Sequence, residues 1–293
     1  MNVSTAQRDS LKQQIGSFGI WRTHSKCDTS FVQQVERLGF GALWLGGSPA
    51  GDLVEVERML SETSTLVIAT GIINIWRADA EQVAESFHRV AAAHPGRFIL
   101  GIGGGHPERD NPLAGRPYEA MLQYLDVLDR QDVPSESRML AALGPRMLQL
   151  AADRSLGAHP YLTTPGHTRE AREIIGAEPL LVPEQRIVIE ADPDLGRELA
   201  RQTIAPYLKL TNYRRNFERF GFDEESMRDV GSDALIDGLA AHGPAEVAAS
   251  RLLEHLDAGA DHVAVQVIAA LDDESDAYRA LAEQLELSPA ERV

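Results

Sequence analysis

The chain has a single cysteine, Cys27, among its 293 residues. One thiol excludes an internal disulfide, and histidines spread singly argue against a structural zinc centre. Cys27 reads either as a nucleophile or as a bland residue near a helix start. Basic charge is scarce too: 28 lysines and arginines stand against 44 acidic residues, a formal net charge of −16. Such a chain repels nucleic acid and anionic membrane surfaces unless a local basic patch intervenes. The densest basic cluster, Arg214-Arg215 with Arg219, sits among Glu218, Glu224 and Glu225 and reads as a solvated helix face. No apolar run reaches the roughly 20 residues of a membrane span. The stretch from Met1 to Gln14 is polar and lacks the apolar core of a signal peptide. These absences predict a cytoplasmic protein with no nucleic-acid and no membrane partner.

Two nucleotide signatures are missing as well. The dinucleotide fingerprint G-x-G-x-x-G fails, because the sixth position counted from Gly101 is His106 and from Gly103 is Glu108. No phosphate-binding G-x-x-x-x-G-K-[ST] loop occurs. What is present instead is Arg97-Phe98-Ile99-Leu100-Gly101-Ile102-Gly103-Gly104-Gly105-His106-Pro107-Glu108-Arg109. It reads as a buried strand entering a turn whose bare backbone lets another group come close. Pro107 suits the first turn of a following helix. Backbone N–H groups at such a junction can face an anion; otherwise the segment is a plain tight turn.

Short apolar runs alternate with helical patterns along the whole chain. The runs are Ile15–Trp21, Gly41–Leu45, Leu66–Trp76, Phe98–Ile102, Met139–Leu143, Gly157–Leu162, Leu180–Glu190 and His262–Ile268. Between them lie amphipathic stretches such as Phe31, Val32, Val35 and Leu38 closed by Gly39, or Val83, Phe87, Val90 and Ala91 begun by Asp79. Eight strand–helix pairs predict an α/β protein with a closed (β/α)8 TIM barrel; a doubly wound open sheet is the other architecture with this rhythm. The stretch from Asp192 to His255 reads as all helical and too long for a plain crossover, hence as helices inserted between the seventh and eighth strands of a single domain spanning 1–293. In a barrel the ligand sits at the C-terminal strand ends. Here those ends hold glycine, histidine and tryptophan and few carboxylates.

Several segments resemble the luciferase-like monooxygenase superfamily: Gly39-Phe40-Gly41-Ala42-Leu43-Trp44-Leu45, Ala69-Thr70-Gly71-Ile72, Arg97 to Gly103, Gly144-Pro145-Arg146-Met147-Leu148 and Gly157-Ala158-His159-Pro160-Tyr161. Tyr207-Leu208, Asn212-Tyr213-Arg214 and Phe220-Gly221-Phe222 resemble its branch of F420-dependent (deazaflavin) oxidoreductases. The resemblance runs in order along nearly the whole chain. It implies a barrel binding coenzyme F420 or FMN, with the ring over the strand ends and a non-prolyl cis peptide after the third strand, here Gly71–Ile72. Gly46, Gly47, Gly71, Ile72, Gly103, Gly104, Gly105, Arg109, His159, Pro160 and Tyr161 then become candidate cofactor-binding residues. Tyr161 either meets the cofactor or fills the barrel rim, and Asn74 either bonds the ring or forms a turn. One departure stands out. Several deazaflavin dehydrogenases carry an acidic residue and a histidine where this chain has Gly46 and Gly47. His24 and His106 on other loops are the candidate substitutes for proton transfer.

The resemblance implies hydride transfer between F420 and an organic substrate, with an FMN-dependent monooxygenase as the alternative. A non-redox barrel enzyme acting on a phosphorylated metabolite is disfavoured: no lysine stands clearly at a strand end, the three being Lys12, Lys26 and Lys209, and no paired carboxylates appear. A non-catalytic flavin-binding barrel is the remaining class. The aromatic and basic cluster Tyr207, Tyr213, Arg214, Arg215, Phe217, Phe220 and Phe222 either lines a substrate pocket or serves packing or a dimer contact. A homodimer is expected.

Overall fold

The computed structural model describes residues 5–105, 116–268 and 274–288. Its sheet is built from β1 (Phe18–Thr23), β2 (Ala42–Gly46), β3 (Val67–Thr70), β4 (Ile73–Asn74), β5 (Phe98–Gly103), β6 (Arg138–Leu140), β7 (Gly157–Ala158), β8 (Leu180–Leu181), β9 (Glu184–Ile189), β10 (Ala240–Gly243) and β11 (Val263–Val267). The pairings are all parallel, running β9-β11-β1-β2-β3-β5-β6-β7-β8, with β4 beside β5 and β10 on the other edge of β9.

The seventh predicted run closes the barrel because it is broken. Pro183 has no N–H to give a ladder and divides the run into β8 and β9. On one side the N–H groups of Leu180, Val182 and Glu184 donate to Leu156, Ala158 and Pro160. On the other, Pro183 accepts from Ala264 and Ile187 from Ile268. One segment thus bonds both neighbours and leaves no open seam. The third run is divided as well, at Gly71–Ile72.

Strand residues divide by parity, as a period of two demands. Ala42, Trp44, Val67, Ala69, Ile99, Met139, Leu180, Val182 and Ala264 share one buried cluster inside the barrel. Their neighbours Leu43, Leu45, Ile68, Phe98, Leu100, Leu140, Leu181, Val263 and Val265 belong to the cluster beneath the helices. Where the interior is tightest a side chain does not fit: a Cβ on Gly101 would stand 1.7 Å from the Thr70 carbonyl oxygen.

The surrounding helices start where their caps dictate. Asp28 accepts from the Phe31 N–H, and Asp79 from those of Glu81 and Gln82. Pro117, Pro145, Pro165 and Pro193 each occupy the first turn of a helix. A helix over Thr5–Ile15, absent from the sequence reading, brings Ile15 into the inside cluster at the N-terminal end of the strands. Its hydropathic signal is weak because most of its residues are polar.

The inserted stretch carries helices over Pro193–Ile204, Thr211–Arg219 and Asp233–Leu239 around their own core of Leu208, Tyr213, Phe217, Leu235 and Ile236. It is not helical throughout. Ala240–Gly243 forms β10, paired in register with β9 from Ala240↔Arg186 to Gly243↔Ile189. Ala-Ala-His-Gly has no β-branched residue, so nothing local announces a strand.

Candidate active site at the C-terminal strand ends

A cavity of about 820 Å³ opens among the C-terminal strand ends and the inserted helices. It is lined on one side by Gly47, Gly71, Ile72, Gly104 and Gly105, and on the other by Tyr161, Arg186, Thr203, Tyr207 and Gln266.

The first side is a floor of backbone. The Gly71–Ile72 peptide is cis, at the bond where the resemblance places it. Gly47 has φ +80° and Gly105 φ +56°, in the left-handed region where glycine is at ease. Trp76 braces the turn: its Nε1–H donates to the Gly104 carbonyl (2.9 Å), while its backbone N–H donates to Asn74 Oδ1 (3.0 Å). Asn74 is buried, does not line the cavity and takes the turn-forming role of its two readings.

Two polar atoms border this floor without protein partners among the described residues: Trp21 Nε1 and His159 Nε2. A Cβ placed on Gly71 would lie 3.1 Å from the first and 3.3 Å from the second, so both face the space that Gly71 leaves bare. His159 Nδ1 is 2.7 Å from the Val182 carbonyl and must donate to it. Burial pushes the ring's pKa down to about 4. The imidazole is therefore neutral, and its Nε2 is a bare acceptor beside the Trp21 donor. Trp44 stacks on His159 from within the barrel, at 4.6 Å and 20°. Trp44 in turn donates to His262 Nε2 (3.1 Å), and His262 Nδ1 donates to the Gly16 carbonyl (2.8 Å).

The second side is a wall of side chains. Tyr161 hydroxyl accepts from Arg186 Nη2 (2.8 Å), lies 3.3 Å from the Tyr207 hydroxyl that donates to it, and donates to Gln266 Oε1 (2.9 Å). Arg186 Nη1 donates to the Thr203 carbonyl (2.7 Å) and hydroxyl (3.2 Å). Its guanidinium carbon lies 4.8 Å from the Tyr207 ring centroid and 5.3 Å from that of Tyr161. Burial presses against the guanidinium charge, but Tyr161, Glu184 and Tyr207 outweigh it and keep Arg186 a cation. Burial pushes the Glu184 carboxyl up to about 7, against the pull of Arg186 and the Leu162 N–H.

The remaining sequence-predicted residues scatter. Gly103 ends β5 behind the cavity, where a Cβ would meet Ala141 and Ile72 at 2.9 Å. Gly46 makes room for an indole, since a Cβ there would fall 1.9 Å from the Trp21 ring. Pro160 is buried, and its carbonyl accepts from the Glu184 N–H (2.8 Å). His24 does not line the cavity; its Nδ1 lies 2.6 Å from Glu55 Oε2. His106 and Arg109 fall outside the described residues. Cys27 is buried, and burial pushes its thiol up to about 12, which removes it as a nucleophile.

The basic cluster on the inserted helix also divides. Arg215 lines the cavity, whereas Arg219 pairs with Glu170 and Arg214 reaches the Leu208 carbonyl. Arg215 and Arg219 are exposed, as a solvated face requires, and Arg215 also borders the cavity. Sequence reasoning missed Arg186, Thr203 and Gln266. A signal for the first was present: Glu184-Gln185-Arg186 interrupts an apolar run with three polar residues, each at most 1 % exposed.

Residues 29–131 match the family model described as luciferase-like monooxygenase. The likeness extends further in the fold. An F420-dependent secondary alcohol dehydrogenase in complex with an F420–acetone adduct superposes with a TM-score of 0.72 at 13 % identity, covering 92 % of this chain and 98 % of that one. The coenzyme F420-dependent tetrahydromethanopterin reductase from Methanopyrus kandleri gives 0.71 at 17 % identity, covering 92 % and 97 %. The oxygenating constituent of 3,6-diketocamphane monooxygenase from Pseudomonas putida, in complex with FMN, gives 0.68 at 12 % identity, covering 93 % and 98 %. No curated protein matches in sequence. Among the described residues no helix is long and apolar enough to cross a membrane.

Proposed function

We propose that this chain is an oxidoreductase that holds a flavin-type cofactor, F420, across the glycine floor and moves a hydride between it and an organic substrate. The observation that carries this reading is the join of three features. The floor is bare backbone, a lone donor and a lone acceptor border it, and the fold is shared with F420- and FMN-dependent enzymes. A flavin ring edge alternates carbonyl acceptors with an N–H donor, which complements Trp21 Nε1–H and neutral His159 Nε2. When bound, the deazaflavin supplies hydride chemistry that no side chain offers. Gly47, Gly71, Gly104 and Gly105 leave room for a flat group; Trp21 and His159 orient it; the inserted helices exclude water above it.

A second reading, an FMN-dependent monooxygenase, is favoured by Gly46 and Gly47. They occupy the place where the resemblance puts the proton-handling histidine of deazaflavin dehydrogenases. Titration of the purified protein with each cofactor, followed by absorbance and fluorescence, separates the two. F420 binding with no FMN binding supports the first reading. The reverse transfers the assignment to the second, and binding of neither removes both. A homodimer working in the cytoplasm belongs to the same proposal, and sedimentation of the purified protein tests the dimer.

A further inference from the structure

The cavity wall holds a buried ion pair, Arg186 with Glu184, that no direct hydrogen bond closes. Arg186 is 1 % exposed, yet its nearest carboxylate oxygen, Glu184 Oε1, is 3.7 Å from Nε, beyond hydrogen-bond reach. The other Glu184 oxygen is taken by the Leu162 N–H at 2.8 Å. Arg186 Nε and Glu184 Oε1 both lack hydrogen-bond partners among the described residues. Every hydrogen bond the guanidinium makes among the described residues goes to a neutral group, a phenol, a carbonyl or a hydroxyl, and two ring faces flank it. A buried cation whose one carboxylate partner stands beyond hydrogen-bond reach still attracts a second negative charge.

Gln266 points the same way. Tyr161 hydroxyl accepts from both Arg186 and Tyr207, so it must spend its own proton on Gln266 Oε1. That fixes the amide. Its NH2 group is turned from Tyr161, and Gln266 lines the cavity. No Asp or Glu stands among the described lining residues, in a chain whose net charge is −16. A wall of donors without carboxylates selects an acceptor with a charge on it.

We propose that Arg186 and Gln266 form a subsite for a carboxylate of the substrate, opposite the glycine floor. Gln266 gives hydrogen bonds, Arg186 gives the charge, and Tyr161 holds both in place. As the substrate's subsite it rests on the oxidoreductase reading; as an anion site it stands without that reading.

The test is calorimetric titration with sodium benzoate and with benzamide, its nearly isosteric neutral counterpart. The unaltered protein is expected to bind benzoate about tenfold tighter or more, the size of a charge-assisted hydrogen bond. Gln266→Leu narrows that preference, Arg186→Met abolishes it and Arg186→Lys restores part of it. Should Arg186→Met fail to fold, Gln266→Leu and Arg186→Lys still carry the comparison. Equal affinity for the two probes, or no binding of either, overturns the subsite. So does a preference that survives both Gln266→Leu and Arg186→Met, or one that is lost in Arg215→Gln instead. A protein that prefers benzoate but takes up neither F420 nor FMN keeps the anion site and loses the oxidoreductase reading. One that takes up a cofactor without telling the probes apart loses the subsite alone.

Discussion

Where β2, β3 and β5 end, the cavity is bounded by Gly47, Gly71, Ile72, Gly104 and Gly105. On the side of β9 and β11 it is bounded by Arg186, Gln266 and the tyrosines that join them. The two sides do different physical work. A floor without side chains offers flatness and close approach, and any added atom is an obstacle. A wall of buried polar side chains offers direction and charge, and any lost atom strands its neighbours. Steric addition should therefore damage the first, and polar deletion the second.

The largest effect is expected from adding an atom behind the floor. Gly101→Ala puts a Cβ 1.7 Å from the Thr70 carbonyl oxygen. Strand separation must give way, at about 3 kcal/mol of stability, read from urea unfolding. Next comes Gly104→Leu. A Cβ there meets nothing nearer than Trp76 Nε1 at 3.7 Å, so the fold accepts it. Cofactor affinity should fall about tenfold to a hundredfold with an unchanged melting temperature. Unchanged affinity would take this loop out of the site.

A smaller effect belongs to the wall. Tyr161→Phe removes the hydroxyl that Arg186, Tyr207 and Gln266 share. It should cost about 1–2 kcal/mol in urea unfolding, whereas an equal loss of volume elsewhere on the wall costs less. A neutral outcome would show that the network is not cooperative. A further comparison is a pH dependence. Glu184 is raised from 4.5 to about 7 in the folded chain. Between those values the folded state keeps a proton that the unfolded chain releases, so stability falls as pH rises through this window and levels above it. Glu184→Gln should flatten that limb. His159 and His262, pushed down to about 4, act in the opposite sense, losing stability as pH drops below 6.5. Urea midpoints of the variant and its parent across the window isolate the Glu184 part.

The same contrast explains which side could be read in advance. Glycine announces itself locally, because bare backbone in a strand-to-helix turn has few explanations. Gly47, Gly71, Gly104 and Gly105 were accordingly picked from the chain and line the cavity. Gly46 and Gly103 were picked on the same ground and are absent from the lining, since the same absence of a side chain serves strand packing. His24 stands out by residue type alone, and its partner Glu55 lies 31 positions away. The wall is assembled over longer separations: Tyr161 finds Arg186 across 25 positions, Tyr207 across 46 and Gln266 across 105. No window along the chain contains that juxtaposition.

The alternation of apolar runs and amphipathic stretches, with its caps and prolines, was enough to determine a parallel α/β barrel and which ends of its strands would gather glycine. Those signals act within a few residues, where periodicity, capping and φ preferences operate. Tertiary structure alone decided that a proline-broken strand closes the ring, that β10 pairs at its edge, and that a buried guanidinium and a fixed amide share one phenol hydroxyl. Burial and hydrogen-bond partnership are properties of the assembled neighbourhood, and side-chain charge, orientation and proton position follow from them.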